Sequence, residues 1–311
     1  MKSALVLTLC LASLGEATTA AASSAGGLTT AEEYRKTRLQ ERLCALRELD
    51  CAYVTSLFSD PRLRIYYPPA PKHQESTHKE RERNPFLTMR FGLLTVESLE
   101  RCRGFLQAHA LAFDAAYRTY GVPREIICGI LRIETDFGIP TKLSPNPLGT
   151  IPAISRLVTL YVRPLPHEKS LLHFARQQQF AVRELKDLLK AAHKFGWDLF
   201  QIPGSPTGAI GLAQFEPSSL KDAVDGNGDG KIDLFDPADA IPSVANYLAT
   251  RGWDGEPHHQ QRAVYAYYGG NYDADPHKYY LTAVLKYAHE VGEYLREHPT
   301  EPETASTPKP F

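Results

Sequence analysis

Residues 120–138 read YGVPREIICGILRIETDFG, and the spacing of apolar residues in this stretch decides how the chain is organised. Gly121 closes one helix and Val122-Pro123 opens the next, because a first-turn proline lacks only an N–H that has no helical partner anyway. Ile126, Ile127, Ile130, Leu131 and Ile133 then recur at helical spacing and make one buried face of a helix over 124–135. Glu134 follows Ile130 by one helical turn and Ile127 by two, so it projects near that apolar face. A carboxyl group placed there loses water, which penalises its charged form and raises its pKa. A glutamic acid that keeps its proton near neutral pH can donate it to a leaving oxygen. The plainer reading is a glutamate at a helix end with its head in solvent. Asp136 is turned roughly 200° from Glu134 about a continuing helix and faces elsewhere. No second acid of the kind most glycosidases place across the scissile bond is evident nearby.

Working outward, residues 31–58 carry a helical pattern (Leu39, Leu43, Leu46, Leu49, Val54, Leu57) that Asp60-Pro61 ends. The prolines and the HKERER run within 66–85 predict an exposed loop. Thr95 caps a long helix to about Tyr120, with Glu97 and Glu100 near its start. After a proline-containing stretch over 138–152, helices are expected at 153–162, 167–195, 217–223, 237–251, 258–268 and 277–297. The tail from Pro299 has a disordered composition. No internal repeat or alternating strand pair is evident. The expectation is a mainly α protein: an N-terminal helical segment with an exposed loop over 23–92, a helical domain over 93–298, and a disordered tail over 299–311.

The N-terminus, residues 1–22, has the form of a signal peptide: Lys2, an apolar run from Ala4 to Leu14, then the small residues TTAAASSA. The run is too short to span a bilayer, and no other segment is apolar enough for a transmembrane helix. Leu9 before Cys10 is not small, which argues against a lipoprotein anchor. The expected location is periplasmic or otherwise exported. With a formal net charge of -1 over 311 residues, no global basic field points to nucleic acid. The 16 tyrosines suit flat polar ligands such as sugars, and equally suit ordinary cores. Export leaves Cys44, Cys51, Cys102 and Cys128, which allow three disulfide connectivities. On one unbroken helix Cys44 and Cys51 stand roughly 10 Å apart by rise, too far to bond each other. Any bridge is then expected to run from each to Cys102 or Cys128; the alternative is four small buried hydrophobes. No cysteine or histidine spacing suggests zinc.

Two further motifs carry chemistry. Residues 203–219 read PGSPTGAIGLAQFEPSS, where Gly204, Gly208 and Gly211 permit close backbone approach to a ligand. Residues 225–236 read DGNGDGKIDLFD, with oxygen side chains at loop positions 1, 3 and 5 (Asp225, Asn227, Asp229), Gly230 at the sharp turn, the Lys231 carbonyl next and Asp233 at position 9. This is the pattern of an EF-hand-like calcium loop. Asp236 at position 12 precedes Pro237 and also suits a helix cap, so Asp239 in the following turn is the alternative final ligand. The expected Ca2+ role is structural, and the plainer reading is an acidic turn.

Taken together, GVPREIICGILRIETDFG, GAIGLAQFEPSS and SVANYLATRGW, in that order, resemble the lytic murein transglycosylases of the soluble-lytic-transglycosylase B type, over roughly Leu93 to Ala288. The resemblance implies a lysozyme-like, mostly helical fold with a deep groove. It implies that Glu134 is the catalytic acid/base. Ser205, Gln214, Tyr247, Tyr267 and Tyr280 are implied to be sugar-contacting groove residues, and Asp239 a calcium ligand beside Asp225, Asn227, Asp229 and Lys231. The implied reaction cleaves the N-acetylmuramic acid to N-acetylglucosamine bond of peptidoglycan glycan strands and leaves a 1,6-anhydro end. One departure stands out: where the family pattern has Tyr-Asn, this chain has Tyr267-Tyr268, and Asn271 is the residue expected to recover the amide from a different loop position. The alternatives are a muramidase that uses water as acceptor, a non-catalytic peptidoglycan-binding protein that keeps the groove, and a calcium-dependent module of the dockerin kind, which carries its loop twice where this chain has one. A serine hydrolase or a zinc protease lacks support, since neither GxSxG nor HExxH occurs.

Overall fold

In the computed structural model, residues 27–66, 84–88, 91–141, 144–165 and 170–299 are described. The expected signal peptide, most of the 66–85 loop and the tail beyond Pro299 lie outside them. The chain is mainly helical. Helix α1 spans Thr30–Cys44 and opens with a capping box, in which Thr29 and Glu32 each accept the other's backbone N–H. Helix α2 spans Cys51–Ser59, capped by the Asp50 carboxylate on the Ala52 N–H.

The expectation of one helix through both cysteines is corrected here. The helix stops after Cys44, Ala45–Asp50 turn the chain, and α2 packs back on α1. The Cys44 and Cys51 Cα atoms come within 4.5 Å and the two residues form a disulfide, the pairing that the rise argument had excluded. Cys102 and Cys128 are free and buried, as small hydrophobes are.

The predicted helix from Thr95 also breaks, at His109, into α3 (Val96–Ala108) and α4 (Ala110–Tyr120). The Thr95 hydroxyl accepts the Ser98 N–H, and Gly121 ends α4 in the left-handed region at φ 67°. Helix α5 (Arg124–Thr135) is the centre of the fold. Its residues 126–132 are all buried, with Ile127, Ile130 and Leu131 fully so.

Helices α6 (Ala153–Val162) and α7 (Leu171–Phe195) pack as a pair, with α1 against α6. A buried ion pair, Arg163 Nε to Glu32 Oε1 at 2.7 Å, ties α1 to the end of α6. Helix α8 (Pro237–Ala249) packs on α4, α9 (Pro257–Tyr267) follows it, and α10 (Tyr279–Glu297) lies along α5. Gly129 allows that approach: a Cβ on it would stand 3.1 Å from the Val284 carbonyl oxygen. The described sheet is minimal, Ile151–Pro152 (β1) antiparallel to Pro203–Gly204 (β2), too short to leave an alternating signature in the sequence.

Candidate active site

Helix α5 ends one residue after Glu134, because Asp136 and Phe137 both adopt left-handed φ values of 53° and 60°. The helix therefore does not continue to Asp136, so the helical angle does not set its direction; Asp136 lines the same cavity as Glu134 and is buried in ion pairs with Arg132 at 3.1 Å and Arg101 at 3.0 Å. Thr135 donates its hydroxyl to the Leu212 carbonyl at 2.7 Å, which docks the glycine-rich loop on the end of α5. Gly211 makes the docking feasible at φ 76°, since a Cβ there would stand 2.3 Å from the Leu234 carbonyl oxygen. Beyond the loop, Pro217–Asp222 forms a 3-10 helix. The fully buried Glu184 of α7 holds it by accepting the Ser218 N–H at 2.8 Å.

These elements enclose a cavity of about 850 Å³. Glu134, Ser205, Gln214, Tyr247, Tyr267 and Tyr280 all line it, although they come from five separated segments of the chain. Glu134 keeps some accessible surface where it opens on the cavity, while protein crowds its carboxyl. Burial raises that carboxyl to about 7; the Tyr280 hydrogen bond opposes the rise and the Glu216 charge adds to it. The Tyr280 hydroxyl donates to Glu134 Oε1 at 2.7 Å.

In the same cavity, the Tyr267 hydroxyl donates to the Ala213 carbonyl at 2.7 Å and the Tyr247 hydroxyl to the Ala266 carbonyl at 2.9 Å. Their rings meet edge-on at 4.7 Å, with Phe215 against both. Burial pushes the Tyr247 hydroxyl up to about 12, so both phenols stay neutral and act as hydrogen-bonding walls. Gln214 takes a left-handed φ of 49°, and its side-chain amide donates back to the Gly211 carbonyl at 2.9 Å. Ser205 Oγ accepts the N–H groups of Thr207 and Ala209 at 3.2 and 3.1 Å, which fixes the loop's shape.

Among the cavity residues that sequence reasoning missed are Glu216, Phe86 and the inward-placed Tyr268. Glu216 stood in plain view between Phe215 and Pro217, but only the folded loop brings its charge to bear on Glu134. Asn271 does not replace the expected amide. It is exposed, its Oδ1 accepts the Asp273 N–H, and it is not part of the cavity wall.

The 225–239 loop lies apart from the cavity wall. Asp225 accepts the N–H groups of Gly228, Asp229 and Gly230. Asn227 accepts from Asp229, and Asp229 from Lys231. Asp239, 1% exposed, accepts from Gly226 and Asp233 and so spans the two ends of the loop. Among the described residues, no three acidic, histidine or cysteine side chains converge closely enough to hold a metal ion.

A cavity built on a single raised carboxyl, walled by neutral tyrosines and amides, has the character of a glycan-cleaving site. The chain belongs to the transglycosylase SLT domain family, whose model matches residues 32–292. It is 35% identical over 169 residues to membrane-bound lytic murein transglycosylase B of Escherichia coli (strain K12), a match that covers 54% of this chain and 42% of that relative's length. The fold is shared with SltB3 from Pseudomonas aeruginosa in complex with NAG-anhNAM-pentapeptide (TM-score 0.63, 19% identity, 85% of this chain and 80% of that one). It is shared also with the Escherichia coli lytic transglycosylase Slt35 in complex with calcium (TM-score 0.59, 21% identity, 84% and 93%).

Proposed function

We propose that this chain is a peptidoglycan lytic transglycosylase in which Glu134 is the single acid/base. The observation that carries the reading is the Glu134 carboxyl, raised to about 7 and held by Tyr280, at a cavity lined also by Ser205, Gln214, Tyr247 and Tyr267. Protonated, Glu134 gives its proton to the oxygen that links N-acetylmuramic acid to N-acetylglucosamine. The substrate's own N-acetyl carbonyl shields the cationic C1, so no second carboxylate is required. Glu134, now ionised, takes the proton of the C6 hydroxyl, whose oxygen closes on C1. The proton count balances, no water is consumed, and the new end is a 1,6-anhydro sugar. Tyr280 steadies the carboxylate between the two transfers, while Ser205, Gln214, Tyr247 and Tyr267 hold the sugar.

Glu216 favours a second reading. It is another carboxyl at the same cavity, and a carboxylate that activates water would make the enzyme a muramidase. Mass analysis of fragments released from purified murein separates the two, because anhydro and reducing ends differ by one water. The expected result is anhydro ends with the wild type and none with Glu134→Gln. Reducing ends would transfer the assignment to the muramidase, and turnover by Glu134→Gln would remove Glu134 from the chemistry.

We also infer that the 225–239 loop holds a structural Ca2+. Its donors are all hard oxygens, from Asp225, Asn227, Asp229, the Lys231 carbonyl and Asp239, and its turns are already shaped by the hydrogen bonds of the four side chains to loop amides. The ion would fix the segment between the Gln214 loop and α8 and take no part in proton transfer. Adding calcium to chelator-stripped protein should raise Tm; no change would refute the site. Residues 1–22 support export to the periplasm. Among the described residues, no helix is long and apolar enough to cross a membrane.

A further inference from the structure

Tyr280 is gripped on two sides. Its ring meets Phe86 edge-on at 5.9 Å and 86°, and lies nearly parallel to Tyr268 at 5.3 Å and 20°. Tyr268 is buried. It is itself braced: Tyr265 meets it at 6.1 Å, and the Tyr265 hydroxyl donates to Asp275 at 2.7 Å. Tyr272 closes on Tyr265 at 5.5 Å. An aromatic ladder therefore runs from the 271–275 loop through Tyr265 and Tyr268 to Tyr280, whose hydroxyl sits on Glu134. An asparagine could not extend it, because an amide offers no face of comparable area to an adjacent ring.

We infer that Tyr268 is a positioning residue that acts through Tyr280: its ring fixes the Tyr280 plane so that the hydroxyl stays aimed at Glu134 Oε1. The inference rests on the catalytic reading of Glu134 and deepens it. A hydrogen bond of 2.7 Å tolerates little lateral drift, and a Tyr280 ring free to swing would leave Glu134 to sample unproductive rotamers. Because the ring, and not its hydroxyl, does the positioning, phenylalanine should serve and an aliphatic side chain should not.

The test is a double-mutant cycle on murein turnover with Tyr268→Leu, Tyr268→Phe, Tyr280→Phe and the double variant Tyr268→Leu/Tyr280→Phe. Tyr268→Leu is expected to lower kcat about tenfold to a hundredfold, the scale of a small misplacement of a catalytic group, with KM within roughly a factor of two. Tyr268→Phe is expected to recover most of that loss. Once Tyr280 has lost its hydroxyl, replacing Tyr268 should cost little more, so the two changes are non-additive. Additive losses, no rescue by phenylalanine, or an effect confined to KM would each overturn the inference. Thermal melts of every variant identify any rate loss that is only unfolding, and Tyr268→Phe remains informative if the leucine variant folds poorly. Glu134→Gln is run alongside. Turnover by that variant defeats the catalytic reading itself, whereas an inactive Glu134→Gln with an additive cycle defeats only the role of Tyr268.

Discussion

Replacing Glu134 by glutamine should stabilise the protein, and by an amount that grows with pH. The carboxyl stands at about 7 in the fold against an ordinary value near 4.5, so the native state binds this proton more tightly than the unfolded chain. The native state's advantage is then complete below pH 4.5 and is lost as pH rises through 7. That rise corresponds to about 3 kcal/mol, since a tenfold change in an equilibrium is worth roughly 1.4 kcal/mol. Glutamine keeps the size and the acceptor for the Tyr280 hydroxyl but has no charge to desolvate. Urea melts of wild type and Glu134→Gln at intervals from pH 4.5 to 8.5 measure the difference directly. The variant's advantage should be small at the acid end, climb between pH 5 and 7, and level off near 3 kcal/mol; water entering the cavity can only reduce that ceiling. A difference independent of pH would refute the claim that burial raises this carboxyl, and with it the acid role at neutral pH.

Two other outcomes are expected. Glu216→Gln removes a negative charge that helps hold the proton on Glu134, so the alkaline limb of the pH–rate profile should move to lower pH; an unmoved limb would show that the two carboxyls do not sense one another. Gly211→Ala forces a side chain into the left-handed region and against the Leu234 carbonyl, and should cost roughly 2 kcal/mol or more, read as a lower Tm and reduced turnover.

The helix that carries Glu134 was legible because its packing is written locally: four isoleucines and a leucine at helical spacing fix the buried face, and the glutamate follows in register. The caps at Thr95 and Gly121 were legible for the same reason. The break at His109 was not, since no glycine or proline marks it. The disulfide was misread because Leu46 and Leu49 continue the apolar rhythm through a turn, while Asp50, a good N-cap, was the overlooked sign of a new helix. The groove residues came from motif resemblance rather than from spacing. Nothing local to Tyr280 reveals that its hydroxyl meets a carboxyl 146 positions earlier in the chain, and the bearing of Glu216 on Glu134 is equally a product of the folded loop.

The paired left-handed residues that end α5 bear on any attempt to harden this protein. A remedy that suits many proteins is to put glycine wherever a side chain sits at positive φ. At Phe137 that exchange would also delete a ring stacked 4.8 Å from Phe105, and at Asp136 a carboxylate shared by two arginines. The conformational cost, about 1 kcal/mol or more per residue, is thus welded to the contacts that hold the end of the helix still. Thermostabilising libraries should leave 134–138 fixed and seek their gains elsewhere on the molecule.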